Sequence, residues 1–168
     1  MNKLNPPELA AALQKAYRLL AIRPHSEHDL GKRLQKSGFP DAVVKEALEK
    51  LHDLQYLNDV SFTSGWARNL AVNKLQGNRK IIASLREKGA PEAMIKEALD
   101  TARQELSEEK AVERFIQKKK AAKQTPDLDR KEKQRIFQSL MGRGFPPDLI
   151  LNKLQKQGEE KTDGENGE

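Results

Sequence analysis

The chain has 168 residues, of which 33% are charged and only 5% aromatic, with a formal net charge of +6. So little large apolar surface excludes one deep globular core and fits thin helical layers under charged side chains. The absence of Cys excludes disulfides, thiolate nucleophiles and Cys-based zinc sites.

The opening stretch MNKLNPPELAAALQKAYRLL has no long apolar run ahead of a small-residue cleavage site. No segment reaches the ~20 apolar residues of a membrane helix. The expectation is a soluble cytoplasmic protein. Leu13, Ala16, Tyr17 and Leu20 recur at helical spacing. Ser26 follows as an N-cap with Asp29 three residues on, close to a capping box. Leu30 and Leu34 face inward. Gly38 then closes the helix, because Gly enters the left-handed region without Cβ strain. Pro40 opens the next helix, whose stripe is Val43, Val44, Ala47, Leu48 and Leu51. His25 and His28 are expected at an exposed helix start; no third or fourth ligand accompanies them, so no metal site is expected. His52 reads as a helix-end residue. DLQYLND, 53–59, is short and partly apolar and predicts a packed joint.

A second set begins with Phe62, Trp66 and Leu70 at i, i+4, i+8, a core stripe rather than a base-stacking platform. Ile81, Ile82 and Leu85 lead to Gly89 and Pro91, after which Met94, Ile95, Ala98 and Leu99 resume helical spacing. GNRK, 77–80, stands at a helix start, where free N–H groups beside Arg79 and Lys80 suit a phosphate or a carboxylate. The long helix through Lys96 to Leu106 runs directly into Ser107.

In the third set, Ser107 with Glu108 and Glu109 favours a helix start. Val112, Phe115 and Ile116 form its stripe. KKKAAKQTPDLDRKEK, 118–133, reads as an exposed, mobile basic loop with helical shoulders. Ile136, Phe137 and Leu140 precede Gly144, Pro146 and Pro147, and Leu149, Ile150 and Leu154 follow. Lys153 and Gln157 stand where Ala47 and Leu51 stood, so the last helix should fray early. GEEKTDGENGE, 158–168, carries five acids and one Lys, a net −4, and leaves +10 on residues 1–157. Such a tail is expected to be disordered.

These sets are copies. LQKSGFPDAVVKEAL (34–48) and LREKGAPEAMIKEAL (85–99) agree at eight of fifteen positions, and LMGRGFPPDLILNKL (140–154) keeps their Leu, Gly, Pro and closing Leu. Each describes two short helices joined by a tight turn. The copies begin 51 and then 55 residues apart, leaving room for one more helix in each unit. The expected fold is all-α: three tandem three-helix, helix-turn-helix-like repeats in an elongated, curved array. The repeats span 7–56, 57–106 and 107–157, the third with the basic loop, and the acidic tail takes 158–168. A monomer is expected.

No catalytic constellation and no phosphate-binding glycine motif is present, so neither an enzyme nor a cofactor is expected. The candidate contact residues are cations. In the second repeat they are Arg68, Lys74, Arg79, Lys80, Arg86 and Lys88. In the third they are Lys118, Lys119, Lys120, Lys123, Arg130, Lys131, Lys133 and Arg143. A basic body attracts phosphate backbones or acidic protein faces.

The three-repeat layout with LQGNRKIIASLREKGAP (75–91) in its middle resembles the RecX family of bacterial regulatory proteins. AYRLLAIRPHSEHDLGKRLQKSGFP (16–40) resembles that family's opening pattern. LHDLQYLNDVSF (51–62) resembles its first link, with Asn58 in place of a usual Asp. The resemblance covers roughly residues 10–155. It implies binding to the filament that the RecA recombinase forms on single-stranded DNA, with inhibition of ATP hydrolysis, strand exchange and co-protease activity. It thereby implies regulation of DNA repair, recombination and the SOS response, and weak direct contact with DNA. The alternative is a helix-turn-helix protein acting directly on duplex DNA. Against it, the helices after the corners open with Asp41, Glu92 and Pro147, where a base-reading helix carries Arg, Asn, Gln, Ser or Thr.

Overall fold

The computed structural model describes residues 6–123 and 128–159, and the side chains of Lys123 and of 157–159 are outside it. The expected acidic tail and the centre of the expected basic loop therefore lie outside the described residues. Among the described residues there are nine α-helices and no strands. None is long and apolar enough to cross a membrane.

The first repeat holds α1 (Pro6–Ile22), α2 (Glu27–Lys36) and α3 (Asp41–Asp53). The second holds α4 (Asp59–Arg68), α5 (Asn78–Glu87) and α6 (Glu92–Glu105). The third holds α7 (Glu108–Lys123), α8 (Arg130–Gly142) and α9 (Pro147–Glu159). Every closely packed pair of helices belongs to a single repeat.

The three glycine corners are alike in detail. Gly38, Gly89 and Gly144 have φ of 92°, 80° and 87°. In each, the amide two residues beyond the C-cap returns to the carbonyl of the last core Leu: Phe39 to Leu34, Ala90 to Leu85 and Phe145 to Leu140. These bonds satisfy helix-end carbonyls that would otherwise be orphaned. The same closure recurs after α3 with no glycine. Tyr56 donates to the Leu51 carbonyl while Gln55 takes φ 62°.

Each repeat has its own core. Leu30, Leu34, Val43, Val44, Ala47 and Leu51 form the first, with Leu57 reaching back from the joint. Ile81, Leu85, Ile95, Ala98 and Ala102 pack under Ala67 and Leu70 in the second. In the third, Val112, Phe115, Ile116, Ile136, Leu140 and Ile150 surround a fully buried Phe145.

Three features depart from the sequence reading. First, α4 passes into a π-helical turn, Asn69–Asn73. Two residues past its end stands Leu75, whose φ of 50° turns a buried side chain into the core of the third repeat. Second, most of the expected basic loop is helical: α7 continues to Lys123 and α8 starts at Arg130, so only 124–129 separate them in the chain. Asp129 and Glu132 form a capping box at that start. Third, α9 is as long as α3, 13 residues each, and does not fray early. Its Lys153 lies half-buried and reaches Glu113 of α7 at 2.5 Å. The salt bridge does at that position what packing does at Ala47.

Candidate functional site

The repeats meet at two joints built to one rule. At the first, Ser26, the N-cap of α2, donates its hydroxyl to the Lys88 carbonyl at 2.8 Å. At the second, Gly77, the N-cap of α5, donates its amide to the Arg143 carbonyl at 2.9 Å. Lys88 and Arg143 are the C-cap residues of α5 and α8. The N-cap of each middle helix thus holds the C-cap of the next. In the third repeat the corresponding amide, that of Asp129, is taken by Glu132 Oε2 at 3.2 Å.

A carboxylate organises the first joint. Asp29 Oδ2 accepts from His25 Nδ1 at 2.8 Å, stands 3.3 Å and 3.5 Å from Arg23 and Arg33, and is 3.8 Å from Lys88 across the joint. Burial pulls the Asp29 carboxyl up, but the His25 bond and the charges of Lys88 and Arg33 outweigh it and hold it below its ordinary value. His25 is buried, not exposed as its sequence position suggested. Burial lowers its pKa despite the bond to Asp29. The ring is held in place by that bond, while His28 stays exposed at the helix start as expected.

An arginine organises the second joint. Arg103 donates through Nε to Asn78 Oδ1 at 2.6 Å, and through Nη2 and Nη1 to the carbonyls of Gln76 and Leu106 at 2.7 and 3.2 Å. Burial lowers its pKa, opposed by the charges of Glu108 and Glu109. The helix start at GNRK holds an internal anion: the Asn78 amide donates to Glu108 Oε1 at 2.7 Å. That carboxylate occupies the amide expected to receive an outside phosphate or carboxylate.

The predicted cations divide into two groups. Arg143 Nη1 donates to the Lys74 carbonyl at 2.5 Å, and its guanidinium lies 4.8 Å over the Phe115 ring. Lys119 stands 5.4 Å from the same ring. Lys80 abuts Gly144, whose Cβ position would lie 2.7 Å from the Lys80 amide. The second joint therefore gathers Lys74, Lys80, Lys119 and Arg143 from separate elements, with Arg79 exposed beside them. Among the described residues Lys74, Arg79 and Lys80 have no ion-pair partner.

Other candidates are not brought there. Arg68 forms a two-pronged bond to Glu105 at 2.6 Å, and Arg86 bonds Glu92 at 2.5 Å. Lys88 is turned inward, 5.5 Å over the Trp66 ring. Lys118 is exposed and Lys120 partly so on α7; Arg130, Lys131 and Lys133 lie on the first turn of α8. The Lys123 side chain lies outside the described residues. Trp66 is half-buried, stacked on Phe62 at 5.7 Å, and donates its indole N–H to Ser84 at 3.0 Å. Sequence reasoning missed Arg103. Its signal was position: it stands four residues after Leu99 and three before Leu106, in line with the inner stripe of α6.

Fold and joints together define a tandem three-helix-repeat protein whose repeats touch through glycine corners. The models of RecX, first three-helix domain, and RecX, third three-helix domain, match residues 12–51 and 108–154. The regulatory protein RecX of Chlorobaculum tepidum is 32% identical over 141 residues, covering 84% of each chain. That of Pelodictyon phaeoclathratiforme is 33% identical, covering 86% of this chain and 87% of the relative. That of Geobacillus kaustophilus is 32% identical over 151 residues, and there this chain spans only 55% of the relative's length. A crystal structure of RecX from Lactobacillus salivarius superposes with a TM-score of 0.69 over 92% of this chain and 99% of that one, at 23% identity, a likeness of fold alone. The chain belongs to the RecX family of regulatory proteins.

Proposed function

We propose that this chain binds the filament that RecA recombinase forms on single-stranded DNA and inhibits its ATP hydrolysis, strand exchange and co-protease activity. It would thereby regulate recombination and DNA repair. The observation that carries the reading is the basic second joint, where Lys74, Arg79, Lys80, Lys119 and Arg143 converge beside a glycine corner. Membership of a family of regulatory proteins supports it. Unpaired cations at a junction between rigid units suit an acidic protein face or the phosphates it encloses. Lys118, Lys120, Lys123, Arg130, Lys131 and Lys133 flank this surface along the chain.

A direct reader of duplex DNA is the weaker reading. Asp41 opens α3 and accepts from Gln35 at 3.0 Å, while Glu92 opens α6 and holds Arg86. Carboxylates at those helix starts repel phosphates. The test is single-stranded-DNA-dependent ATP hydrolysis by RecA with this protein at substoichiometric amounts. The expected result is inhibition. No effect, together with tight binding to duplex DNA alone, overturns the filament reading.

A further inference from the structure

Gly65 has no local reason to be glycine. It sits within α4 at an ordinary helical φ, and a Cβ built on it meets nothing within 4 Å. A mid-helix Gly costs about 0.5–1 kcal/mol relative to Ala. Its one visible consequence is a cleft of about 460 Å3 at the first joint, lined by Gly65 with Leu20, Tyr56, Phe62, Trp66 and Arg23. A side chain at 65 would stand in that cleft. The volume falls among those of ligand clefts, ~300–1,000 Å3.

The surroundings are apolar and uncovered. Of the six exposed large hydrophobics among the described residues, four are Tyr56 itself and the immediate chain neighbours of lining residues: Ile22 (78% exposed), Leu54 (59%) and Val60 (56%). A concentration of this kind, rimmed by polar groups, marks an interaction site. Arg23 is the one Arg or Lys in the lining; one guanidinium nitrogen stands 3.3 Å from Asp29 and another donates to the Pro24 carbonyl.

We propose that this cleft docks an apolar side chain of a partner protein, on a segment that places a carboxylate beside that anchor to meet Arg23. The occupant is protein and not nucleic acid for two reasons. Phe62 and Trp66 already stack on each other, and Lys88 covers Trp66, so the aromatic surface is engaged internally. A single lining arginine cannot supply the several phosphate contacts that hold a nucleic acid strand. The site is separate from the basic second joint, so its failure and that of the filament reading are independent.

The test uses a displayed library of random twelve-residue peptides panned on the full chain, with Gly65→Leu as the counter-target. Leu improves helix propensity at 65 and its Cβ meets nothing within 4 Å, and circular dichroism checks that the variant folds. The expected pool carries an aliphatic or aromatic anchor next to Asp or Glu. A synthesised winner should lose about tenfold or more in affinity on Gly65→Leu, and Arg23→Gln should remove the preference for the acid. Enrichment of no peptide over the counter-target, or equal affinity for both proteins, overturns the proposal. So does an oligothymidylate whose binding is lost on Gly65→Leu while peptide binding is not.

Discussion

A Cβ on Gly77 would stand 2.4 Å from the carbonyl carbon and oxygen of Gly144, two residues 67 positions apart in the chain. Neither backbone can retreat. The Gly77 amide is bonded to the Arg143 carbonyl, and Gly144 must keep its left-handed φ to close α8.

The corner glycines therefore differ in what they cost to replace. Gly38→Ala meets open space and suffers only the strain of its φ, about 1 kcal/mol. Gly89→Ala must also push aside the His28 ring at 2.5 Å. Gly144→Ala meets the backbone amide of Lys80 at 2.7 Å, which cannot move alone, and should cost about 3 kcal/mol or more. Denaturant unfolding should give the order Gly38, Gly89, Gly144. Equal losses at all three would show that the joints bear no strain.

Arg103→Leu leaves the Gln76 carbonyl and the Asn78 side chain without their partner at a half-buried joint. The expected loss is about 2–4 kcal/mol. Arg103→Lys should recover little of it, because one ammonium cannot reach Asn78, Gln76 and Leu106 together. Thermal melts of the two variants check this.

Acid should loosen the first joint. Burial lowers the His25 pKa below its ordinary 6.5, so the unfolded chain binds that proton more readily than the folded one. The corresponding stability is fully present above pH about 6.5 and is lost as pH falls from there towards the folded pKa. The facing groups are Arg23, Asp29, Arg33 and Lys88. Asp29, whose pKa is also lowered, adds a loss only below its ordinary 3.8. The melting temperature should drop between about pH 7 and about pH 5.5, a window that spans the ordinary His value, and His25→Gln should flatten that segment of the profile.

Charge reversal at Lys74 and Lys80 together should raise the concentration needed to inhibit RecA ATP hydrolysis by about tenfold or more, with stability changed by less than ~0.5 kcal/mol. Arg68→Gln and Arg86→Gln, which remove cations already paired with Glu105 and Glu92, should change it far less. A larger effect from the paired set would move the contact surface to the second repeat's outer face.

The corners were legible in the sequence because one residue type, Gly, is demanded by φ at 38, 89 and 144, and the flanking Leu positions repeat with it. The cores followed from the same periodicity. The π-helical turn at Asn69–Asn73 left no trace, since its residues are ordinary and the extra residue per turn is fixed by where Leu70 and Leu75 must bury. The site was legible only as a surplus of cations. Which of them stay unpaired depends on carboxylates brought close by folding, such as Glu105 37 residues from Arg68 and Glu92 across a corner from Arg86. His25 was misplaced because its burial ahead of the α2 N-cap comes from packing around the joint, and not from any pattern within the neighbouring helix.

The capping box at Asp129 closes, within the third repeat, the position that forms the joint in the first two. The rule that joins the first two pairs of repeats would let the same contact be offered to a fourth unit, or to the free Gly38 corner of another copy. Glu132 turns Asp129 into a terminus by using up the amide a newcomer would need. The third repeat thus satisfies that amide within one side-chain pair instead of across a joint. Replacing Asp129 with Gly and Glu132 with Ala would remove that stop, and the chain so altered is where concatenation, end to end, should first be looked for.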